Sequence, residues 1–237
     1  MNATLSALVL VLGAGLLVVI GLKVINMARA RQEKHSRRLL QLNVFNRFAQ
    51  EQGLAVMTSN LPITDLRLFE RRRGLVSADA LDRFVAGRWH DRPVLAAALR
   101  RPTPQGAEVT WMTLVIAEAE LMSVDTLIYR PDLLHDMTGQ ESLEDPGHLL
   151  AVPGGADALR SLGVLCADLE VGRMWRAETL RRRIEELGDA VVVEIKGKYL
   201  AVLWVSPPLT PASLEKRLDS VVALVRRMPQ VEPDLQT

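Results

Sequence analysis

The chain has little of what metal sites, redox centres and nucleic-acid-binding surfaces require. It holds one cysteine, Cys166, so no internal disulfide can form. Aromatic residues make up 4% of the chain and 29 basic side chains oppose 28 acidic ones, so neither base stacking nor a global positive field favours nucleic acid. No histidine stands in a HExxH or CxxC-type arrangement that would hold a metal; the four are His35, His90, His135 and His148.

Candidate catalytic and phosphate-binding residues are equally sparse. Cys166 lies in the apolar stretch GVLCADL without a neighbouring histidine, which is typical of a buried small hydrophobe; a catalytic nucleophile is the alternative. Asp132, His135 and Asp136 are typical of a solvated turn, with a metal or general-base site as the alternative. Gly154-Gly155 does not continue as GxxxxGK[ST] or GxGxxG, so nothing indicates a phosphate-binding loop. The sequence therefore predicts a protein that is not an enzyme and binds no cofactor or metal.

What the chain does have is one long apolar run close to its first residue. Leu5 to Leu22 is an 18-residue stretch without a charged side chain, and Lys23 can snorkel, which extends the stretch to about Met27. Residues 1–28 are therefore predicted to be a transmembrane anchor in a plasma membrane. Because flanking Lys and Arg stay on the cytoplasmic side, the N-terminus is expected outside and the C-terminal domain in the cytoplasm. The flanking basic residues, set against the single acid Glu33, are Lys23, Arg29, Arg31, Lys34, Arg37 and Arg38.

A cleaved signal peptide is the alternative interpretation of the same run. Ala28-Arg29-Ala30 resembles a small-residue cleavage site, after which the mature chain would start at Arg31. However, no positive charge except the terminal amine precedes the run, and the run is longer than the usual apolar core of a signal peptide. The anchor is therefore the preferred prediction.

Small residues recur along the run at heptad spacing. Ala7, Ala14, Gly21 and Ala28 follow one another every seven residues and would form one seam on a helix. Small residues let transmembrane helices approach closely, so the seam predicts packing against another membrane protein or self-association. The alternative is the general richness of membrane helices in Ala and Gly.

The basic residues after the run are expected to lie near anionic lipid headgroups. Each Lys or Arg close to an anionic leaflet contributes about 1 kcal/mol to membrane attraction. Plain positive-inside signalling without a specific lipid is the alternative. The residues concerned are Arg29, Arg31, Lys34, Arg37 and Arg38.

The remainder predicts an α+β fold, with helices packed on an antiparallel sheet. Residues 29–53 are predicted to be a basic, then amphipathic juxtamembrane helix that ends at Gly53. Residues 54–230 form the cytoplasmic domain, with a split into two subdomains near 131–160 as the alternative. Residues 231–237 are expected to be a flexible polar tail.

Strand signals follow one another in meander order, which favours antiparallel pairing over a doubly wound sheet. Strands are predicted over 84–89, 93–99, 108–118, 123–129 and 163–171, the first two joined by a turn at 90–92. A hairpin is predicted from 190–195 and 199–205, closed by Lys196-Gly197-Lys198. Helices are predicted over 175–187 and after Thr210, and residues 131–155 are predicted to be a loop.

The segment from Gly87 to Val94, GRWHDRPV, resembles the G-x-W-x-x-R-P-V strand-turn-strand of uncharacterised single-pass membrane proteins of high-GC Gram-positive bacteria. Tyr129-Arg130-Pro131 matches a later strand of that family, which ends in Tyr-Arg-Pro, and residues 190–228 match its two closing strands and helix. The chain departs from the family's aspartate-phenylalanine element before the helix near residue 175, where residues 166–171 stand instead. The resemblance implies an architecture and no activity.

Together these features predict a non-catalytic, single-pass accessory or scaffolding subunit of a bacterial membrane protein complex, which docks through its transmembrane helix and cytoplasmic domain. The alternative is a membrane-tethered ligand-binding or sensory module with a pocket in the α+β domain. The expected partners are another membrane protein or a second copy of this chain, together with anionic lipid headgroups and without nucleic acid.

Overall fold

The computed structural model describes residues 23, 25–29, 43–57, 81–102, 109–138, 149–153, 162–206 and 210–228. The chain divides into two compact units, residues 1–43 and residues 44–237. In the first unit Lys23 and residues 25–29 are helical and exposed. No helix within the described residues is both long enough and apolar enough to cross a membrane. Most of the predicted anchor and all of the predicted tail, residues 231–237, lie outside the described residues.

The second unit combines an antiparallel sheet with packed helices, which confirms the expected α+β class. Its first helix, α1, covers residues 43–52, of which 44–52 belong to this unit. The other described elements, in chain order, are β1 (Ala55–Met57), β2 (Leu81–Trp89), β3 (Arg92–Pro102), β4 (Val109–Tyr129), α2 (Pro131–Thr138), β5 (Leu150–Ala151), β6 (Gly163–Cys166), α3 (Leu169–Arg176), α4 (Glu178–Glu185), β7 (Ala190–Trp204) and α5 (Pro211–Val225).

The sheet is organised around β4. The described strands run in the order β1-β2-β3-β4-β6-β5, every pair is antiparallel, and β7 pairs with β4. The first nine residues of the 21-residue β4 pair with β3 and its last four pair with β6. β7 runs along β4 from the pair Thr113–Trp204 to the pair Tyr129–Val192. Because β4 contacts three strands, segments far apart in sequence meet along it.

The predicted hairpin of residues 190–195 and 199–205 is wrong. β7 is one continuous strand of 15 residues, and both of its halves pair with β4. Gly197 has φ +56, a conformation that suits glycine, and its N–H donates to Asp125 Oδ1 at 3.3 Å. Lys-Gly-Lys marks a bend within a strand rather than a turn, because β4 is long enough to pair on both sides of the glycine.

β4 likewise replaces the two strands predicted over 108–118 and 123–129. Its register against β7 shifts between Glu118 and Ser123 and again between Ser123 and Thr126, so β4 carries extra residues near the bend at Gly197. Extra residues of this kind bend a strand and increase its twist. They also interrupt the alternation of side chains, which is why the sequence suggests two strands.

Both faces of the sheet are buried. One core lies between the sheet and α1, α3, α4 and α5 and includes Ala96 and Val115. The second core lies on the opposite face and includes Ala97 and Leu114, with Leu134 of α2. Successive residues of a strand point to opposite faces, so a strand buried on both faces is an almost continuous apolar run. This burial explains why β3 and β4 show only partial alternation.

The turn predicted at residues 90–92 is confirmed. β2 and β3 are joined by His90 and Asp91, with φ 48 and φ 64 respectively. Two successive residues with positive φ make a type I′ turn, whose twist matches that of the flanking strands. The side chain of Arg88 donates to the carbonyl of Asp91 across this turn.

The region from 163 to 187 differs from its prediction. The strand predicted over 163–171 ends at Cys166, since Asp168 caps α3 by accepting from the N–H groups of Glu170 (2.7 Å) and Val171 (3.1 Å). The single helix predicted over 175–187 is wrong because Ala177, with ψ 144, separates α3 from α4.

The described residues of the loop predicted over 131–155 form two short elements. Pro131 is the first residue of α2, and the N–H of Leu134 donates to the carbonyl of Arg130 at 2.8 Å. β5 pairs with β6 through Leu150 and Cys166. Elements of eight and two residues are too short to show a hydrophobic period.

Two helix ends agree with their sequence signals. Thr210 and Ser213 form a capping box before α5, with Pro211 at the first position. Gly53 has φ +67, and the N–H of Leu54 donates to the carbonyl of Ala49 at 2.9 Å, which is a Schellman end for α1. The apolar face predicted for the last helix is buried throughout: Leu214, Leu218, Val221, Val222, Val225 and Met228.

Candidate functional site

The residues predicted to face membrane partners are mostly beyond the described part of the chain. Ala28 and Arg29 are helical and exposed. The other members of the seam and of the headgroup set lie outside the described residues: Ala7, Ala14, Gly21, Arg31, Lys34, Arg37 and Arg38. Both sets stay predictions.

The GRWHDRPV segment is part of the domain's packing. A Cβ on Gly87 would lie 2.4 Å from Leu54 Cδ2, so the glycine lets the chain after α1 approach β2 closely. Trp89 is buried, and its ring centroid is 5.6 Å from that of Phe48 in α1. The motif therefore joins the β2–β3 hairpin to α1.

Asp219 ties the same hairpin to α5. One of its oxygens, Oδ1, accepts a hydrogen bond from Trp89 Nε1 at 2.8 Å and lies 2.8 Å from His90 Nε2. The His90 and Asp219 side chains are half-exposed, at 55% and 49%. An Asp-His pair of this kind can orient an imidazole, but here the carboxylate is shared with an indole that is packed into the core. We interpret the cluster as a clamp between hairpin and helix.

Arg217 of α5 inserts into a polar network at one end of the sheet. Its Nη1 donates to Thr113 Oγ1 (2.6 Å) and to the carbonyl of Ser206 (2.8 Å), and its Nη2 donates to Ser206 Oγ (2.6 Å). The guanidinium also lies 5.2 Å from the ring centroid of Trp204 and 3.9 Å from Asp189 Oδ2. Burial lowers the pKa of Arg217, and Asp189 opposes that shift. The charge is thus buried with several partners.

The Tyr-Arg-Pro segment marks a close contact between β4 and β6. Tyr129 pairs with Gly163, and a Cβ on Gly163 would lie 2.2 Å from Tyr129 Cζ. The tyrosine ring therefore occupies the space that any larger residue at 163 would need. Arg130 then closes β4 by accepting the first hydrogen bond of α2.

Arg176, the last residue of α3, interacts electrostatically with this tyrosine. Its Nη2 donates to the carbonyl of Val152 at 2.7 Å, while Nε and Nη1 are covered from solvent and have no hydrogen-bond partner. The close approach of α3 to the end of β5 holds the arginine there, since a Cβ on Gly172 would lie 2.3 Å from Val152 Cγ2. Buried polar groups without a partner are rare in folded proteins and call for an explanation.

Arg176 and Tyr129 influence each other electrostatically. Burial lowers the pKa of the Arg176 guanidinium, and Tyr129 opposes that shift. Burial raises the pKa of the Tyr129 phenol, and the guanidinium of Arg176 opposes that shift. A partly buried cation with unused N–H groups, beside a phenol that is neutral, is suited to receive an anion.

The remaining candidates from the sequence are Cys166 and the group of Asp132, His135 and Asp136. Cys166 is fully buried, with its Sγ 3.1 Å from Thr126 Oγ1, which agrees with the prediction of a small buried hydrophobe. Within the described ranges no group of three or more His, Cys, Asp or Glu side chains could hold a metal. The side chains of His135 and Asp136 lie outside what the structure describes.

Arg176 and Arg217 do not feature among the site predictions, although signals for both exist. Arg217 stands three residues after Leu214 and four before Val221, so its spacing puts it on the buried face of α5. Arg176 becomes a helix C-terminal residue only when α3 is started at Asp168, an N-cap signal that the predicted strand over 163–171 concealed.

The fold is shared with a protein of known structure. The mycobacterial trehalose monomycolate transport factor A, TtfA, has 14% sequence identity to this chain and superposes with a TM-score of 0.57. The match covers 81% of this chain and 98% of TtfA. No family model and no curated protein matches the chain. At this identity the similarity is one of fold.

Proposed function

We propose that the chain is a non-catalytic accessory subunit of a bacterial membrane protein complex. The observation that carries the proposal is the charge-free run of residues 5–22, followed at once by six basic residues and then by an α+β domain. In this proposal the run is an anchor in the plasma membrane with its N-terminus outside, and the domain lies in the cytoplasm. The fold adds support, since TtfA is itself named as a transport factor and the likeness covers 98% of that chain.

In this proposal two segments would contact the partner protein and the lipid headgroups. The seam of Ala7, Ala14, Gly21 and Ala28 would let a partner's transmembrane helix approach closely. The basic residues after it would contact anionic headgroups and keep the anchor oriented. The domain would then cover the cytoplasmic side of the partner.

Co-purification tests the proposal. The tagged full chain would be extracted in mild detergent from its own bacterium, and its partners identified by mass spectrometry. We expect one membrane protein to accompany the wild type at fixed stoichiometry. Enlarging the seam with Ala14→Leu and Gly21→Leu should reduce that partner at least about tenfold, because loss of close helix packing removes roughly 1–2 kcal/mol or more.

The matched control enlarges the opposite side of the same helix, with Val9→Leu and Val19→Leu, and should leave the partner bound. If the wild type runs alone at its own mass, and the seam variants behave like the control, the subunit proposal fails. N-terminal sequencing belongs to the same experiment, because a mature start at Arg31 would show a cleaved signal peptide.

Orientation can be measured separately by cysteine labelling. Cys166 is fully buried, so the native chain should react little with a membrane-impermeant maleimide. In intact cells Asn2→Cys should be labelled, whereas Gln230→Cys should be labelled only after the membrane is permeabilised. The reverse pattern would contradict the proposed orientation.

A further inference from the structure

Arg176 presents a cation with unused hydrogen-bonding capacity. One of its nitrogens, Nη2, donates to the Val152 carbonyl, and the other two carry three N–H groups without an acceptor. In the part of the chain that the structure describes, these are the buried side-chain nitrogens that lack a partner. Leaving them so is costly, because each N–H gave up a water when it was covered.

Among the described residues, Tyr129 is the neighbour that acts electrostatically on this charge. Tyr129 is close enough for each group to shift the other's pKa, but its own pKa is raised by burial, so the phenol is neutral at physiological pH. A neutral phenol can donate an O–H hydrogen bond to an anion and cannot neutralise the guanidinium. Arg176 and Tyr129 thus supply hydrogen-bond donors and a positive charge to this site.

We propose that Arg176 and Tyr129 form a binding site for a phosphate group. Nε and Nη1 lie on different edges of the planar guanidinium, so the N–H groups point in more than one direction. A tetrahedral phosphate has several acceptor oxygens and suits such a set better than a planar carboxylate with two. The site is independent of the docking role proposed above.

The structure shows the site closed. Since Nε and Nη1 are covered from solvent, neighbouring side chains must move before a phosphate can reach them. Binding that requires such opening lowers the apparent affinity by the fraction of open molecules. Gly172 and Val152, whose close contact sets the position of α3 against β5, are at the centre of this region.

The phosphate could be free in solution or carried by a lipid headgroup. Leu150 and Met174 each expose about half of their surface. Leu150 belongs to β5, which ends one residue before Val152, and Met174 belongs to α3, which ends at Arg176. Exposed apolar side chains beside a phosphate site would suit an amphiphile. The chemistry at the guanidinium is the same for both sources, so the experiment must separate them.

The test uses the full chain in nonionic detergent or in nanodiscs. Inorganic phosphate is titrated in one arm, and nanodiscs that contain either phosphatidic acid or uncharged diacylglycerol lipid are compared in the other. Thermal melting and calorimetry report binding. We expect Arg176→Met to weaken phosphate binding about 10- to 100-fold, as the loss of charged hydrogen bonds implies. Arg173→Met, one turn earlier on the exposed side of α3, is the matched control and should bind like the wild type.

Each outcome decides the proposal. Binding of inorganic phosphate that Arg176→Met weakens supports a site for free phosphate. Binding in the phosphatidic acid nanodiscs alone, weakened by Arg176→Met, supports a headgroup site. Absence of binding in both arms, or binding that Arg176→Met and Arg173→Met affect equally, overturns the site. If Arg176→Met does not fold, Tyr129→Phe keeps the ring and should weaken binding about 3- to 10-fold through loss of one O–H donor.

This test and the co-purification test can fail separately. The partner's recovery depends on the seam in the first 28 residues, whereas phosphate binding depends on side chains of the domain. Loss of phosphate binding in Arg176→Met with an unchanged partner would leave both proposals standing. An Arg176→Met variant that binds phosphate normally overturns the site and leaves the subunit proposal untouched.

Discussion

Arg217 of α5 and Arg176 of α3 both belong to helices that pack on the sheet, and both are removed in part from solvent, but their surroundings differ. Burial lowers the pKa of both. Arg217 has Thr113, Ser206, Asp189 and the ring of Trp204 around it. Arg176 has the Val152 carbonyl and a neighbouring phenol. The guanidinium of Arg217 is therefore hydrogen-bonded to several groups of the fold, whereas that of Arg176 keeps N–H groups without acceptors.

The difference suggests that Arg217 stabilises the fold, whereas Arg176 is available to bind a ligand. A buried charge with a complete set of partners stabilises a particular packing, and removing it exposes the partners it satisfied. A partly buried charge whose covered N–H groups lack acceptors destabilises the ligand-free protein, so its presence needs another reason, such as a ligand. Substitutions at the two positions should therefore act in opposite directions on stability.

The largest expected effect is that of Arg217→Met. Methionine fills a similar volume but leaves the hydroxyls of Thr113 and Ser206 without the guanidinium, so we expect a loss of about 2–3 kcal/mol in the free energy of unfolding. For a domain of this size that is a fall in melting temperature of about 5–10 °C. Lys216→Met, on the exposed side of the same helix, should change stability by less than about 0.5 kcal/mol. Equal melting of the two variants would show that the network contributes nothing.

Gly172→Ala should have the next largest effect, because it disturbs the contact that holds Arg176 against β5. The new Cβ would lie 2.3 Å from Val152 Cγ2 and 3.0 Å from Cys166 Cβ. Overpacking of this kind costs about 1–3 kcal/mol, and the better helix propensity of alanine offsets up to about 1 kcal/mol. Chemical denaturation measures the difference.

Relief of the clash provides the control for Gly172→Ala. Val152→Ala removes the methyl groups that the new Cβ meets and keeps the carbonyl that accepts from Arg176. The double variant should therefore be less unstable than the sum of the two single changes, as expected for residues in contact. Additive effects would mean that residues 172 and 152 do not touch and that α3 lies farther from β5.

The parts of the fold that follow from local chemistry could be predicted from the sequence. The β2–β3 turn, the Thr210 cap, the Gly53 stop and the buried face of α5 depend on residues within a few positions of each other. Such short-range signals name a turn or a helix end directly. The α+β class followed from their order along the chain.

The long strands could not be predicted in the same way. Whether Gly197 closes a hairpin or bends a strand depends on β4, more than 60 residues earlier, which is long enough to pair with both halves of β7. Local sequence is the same in both cases. Burial of both sheet faces also removes the alternation from which strand limits are estimated.

The candidate site was harder to predict than the strands, because its defining feature is two arginine nitrogens that lack hydrogen-bond acceptors. Nothing in the residues around Arg176 states that its nitrogens will be covered without acceptors. That follows from the approach of α3 to Val152 and from the position of Tyr129 on β4, both of which are tertiary. The spacing of Arg217 within an apolar helix face does predict a buried arginine. It identifies the arginine whose hydrogen bonds are made, and not Arg176, whose donors are unused.

Arg176→Met should have a smaller effect on stability than either change above, and of opposite sign. In the absence of ligand the variant removes a partly buried charge whose Nε and Nη1 lack acceptors, keeps much of the side-chain volume and gives up the hydrogen bond to the Val152 carbonyl. We therefore expect the free energy of unfolding to stay the same or to rise by about 1 kcal/mol. Melting of the phosphate-free protein measures it, beside Arg173→Met. If Arg176→Met lowers the free energy of unfolding as much as Arg217→Met does, Arg176 stabilises the fold. The two arginines would then have the same role.

The smallest effect on stability, and the most direct report on the neighbourhood of Arg176, is the titration of Tyr129. Burial raises its pKa above the ordinary value of 10.0, so the folded protein holds the phenolic proton more tightly than the unfolded chain does. The associated stability is complete below the ordinary tyrosine pKa and is lost as pH rises through the folded value. Tyrosinate absorbance measures the pKa, and subtracting the curve of Tyr129→Phe removes the contribution of Tyr199, the other tyrosine.

The same titration in Arg176→Met tests whether Arg176 lies close enough to Tyr129 to lower the pKa of the phenol. The guanidinium lowers the pKa of Tyr129, so its removal should raise that pKa further, whereas Arg173→Met should not change it. Bound phosphate should also raise the pKa, because a nearby negative charge disfavours the phenolate. If neither Arg176→Met nor added phosphate changes the pKa of Tyr129, the two side chains are not close together. That result would also count against a phosphate bound between them.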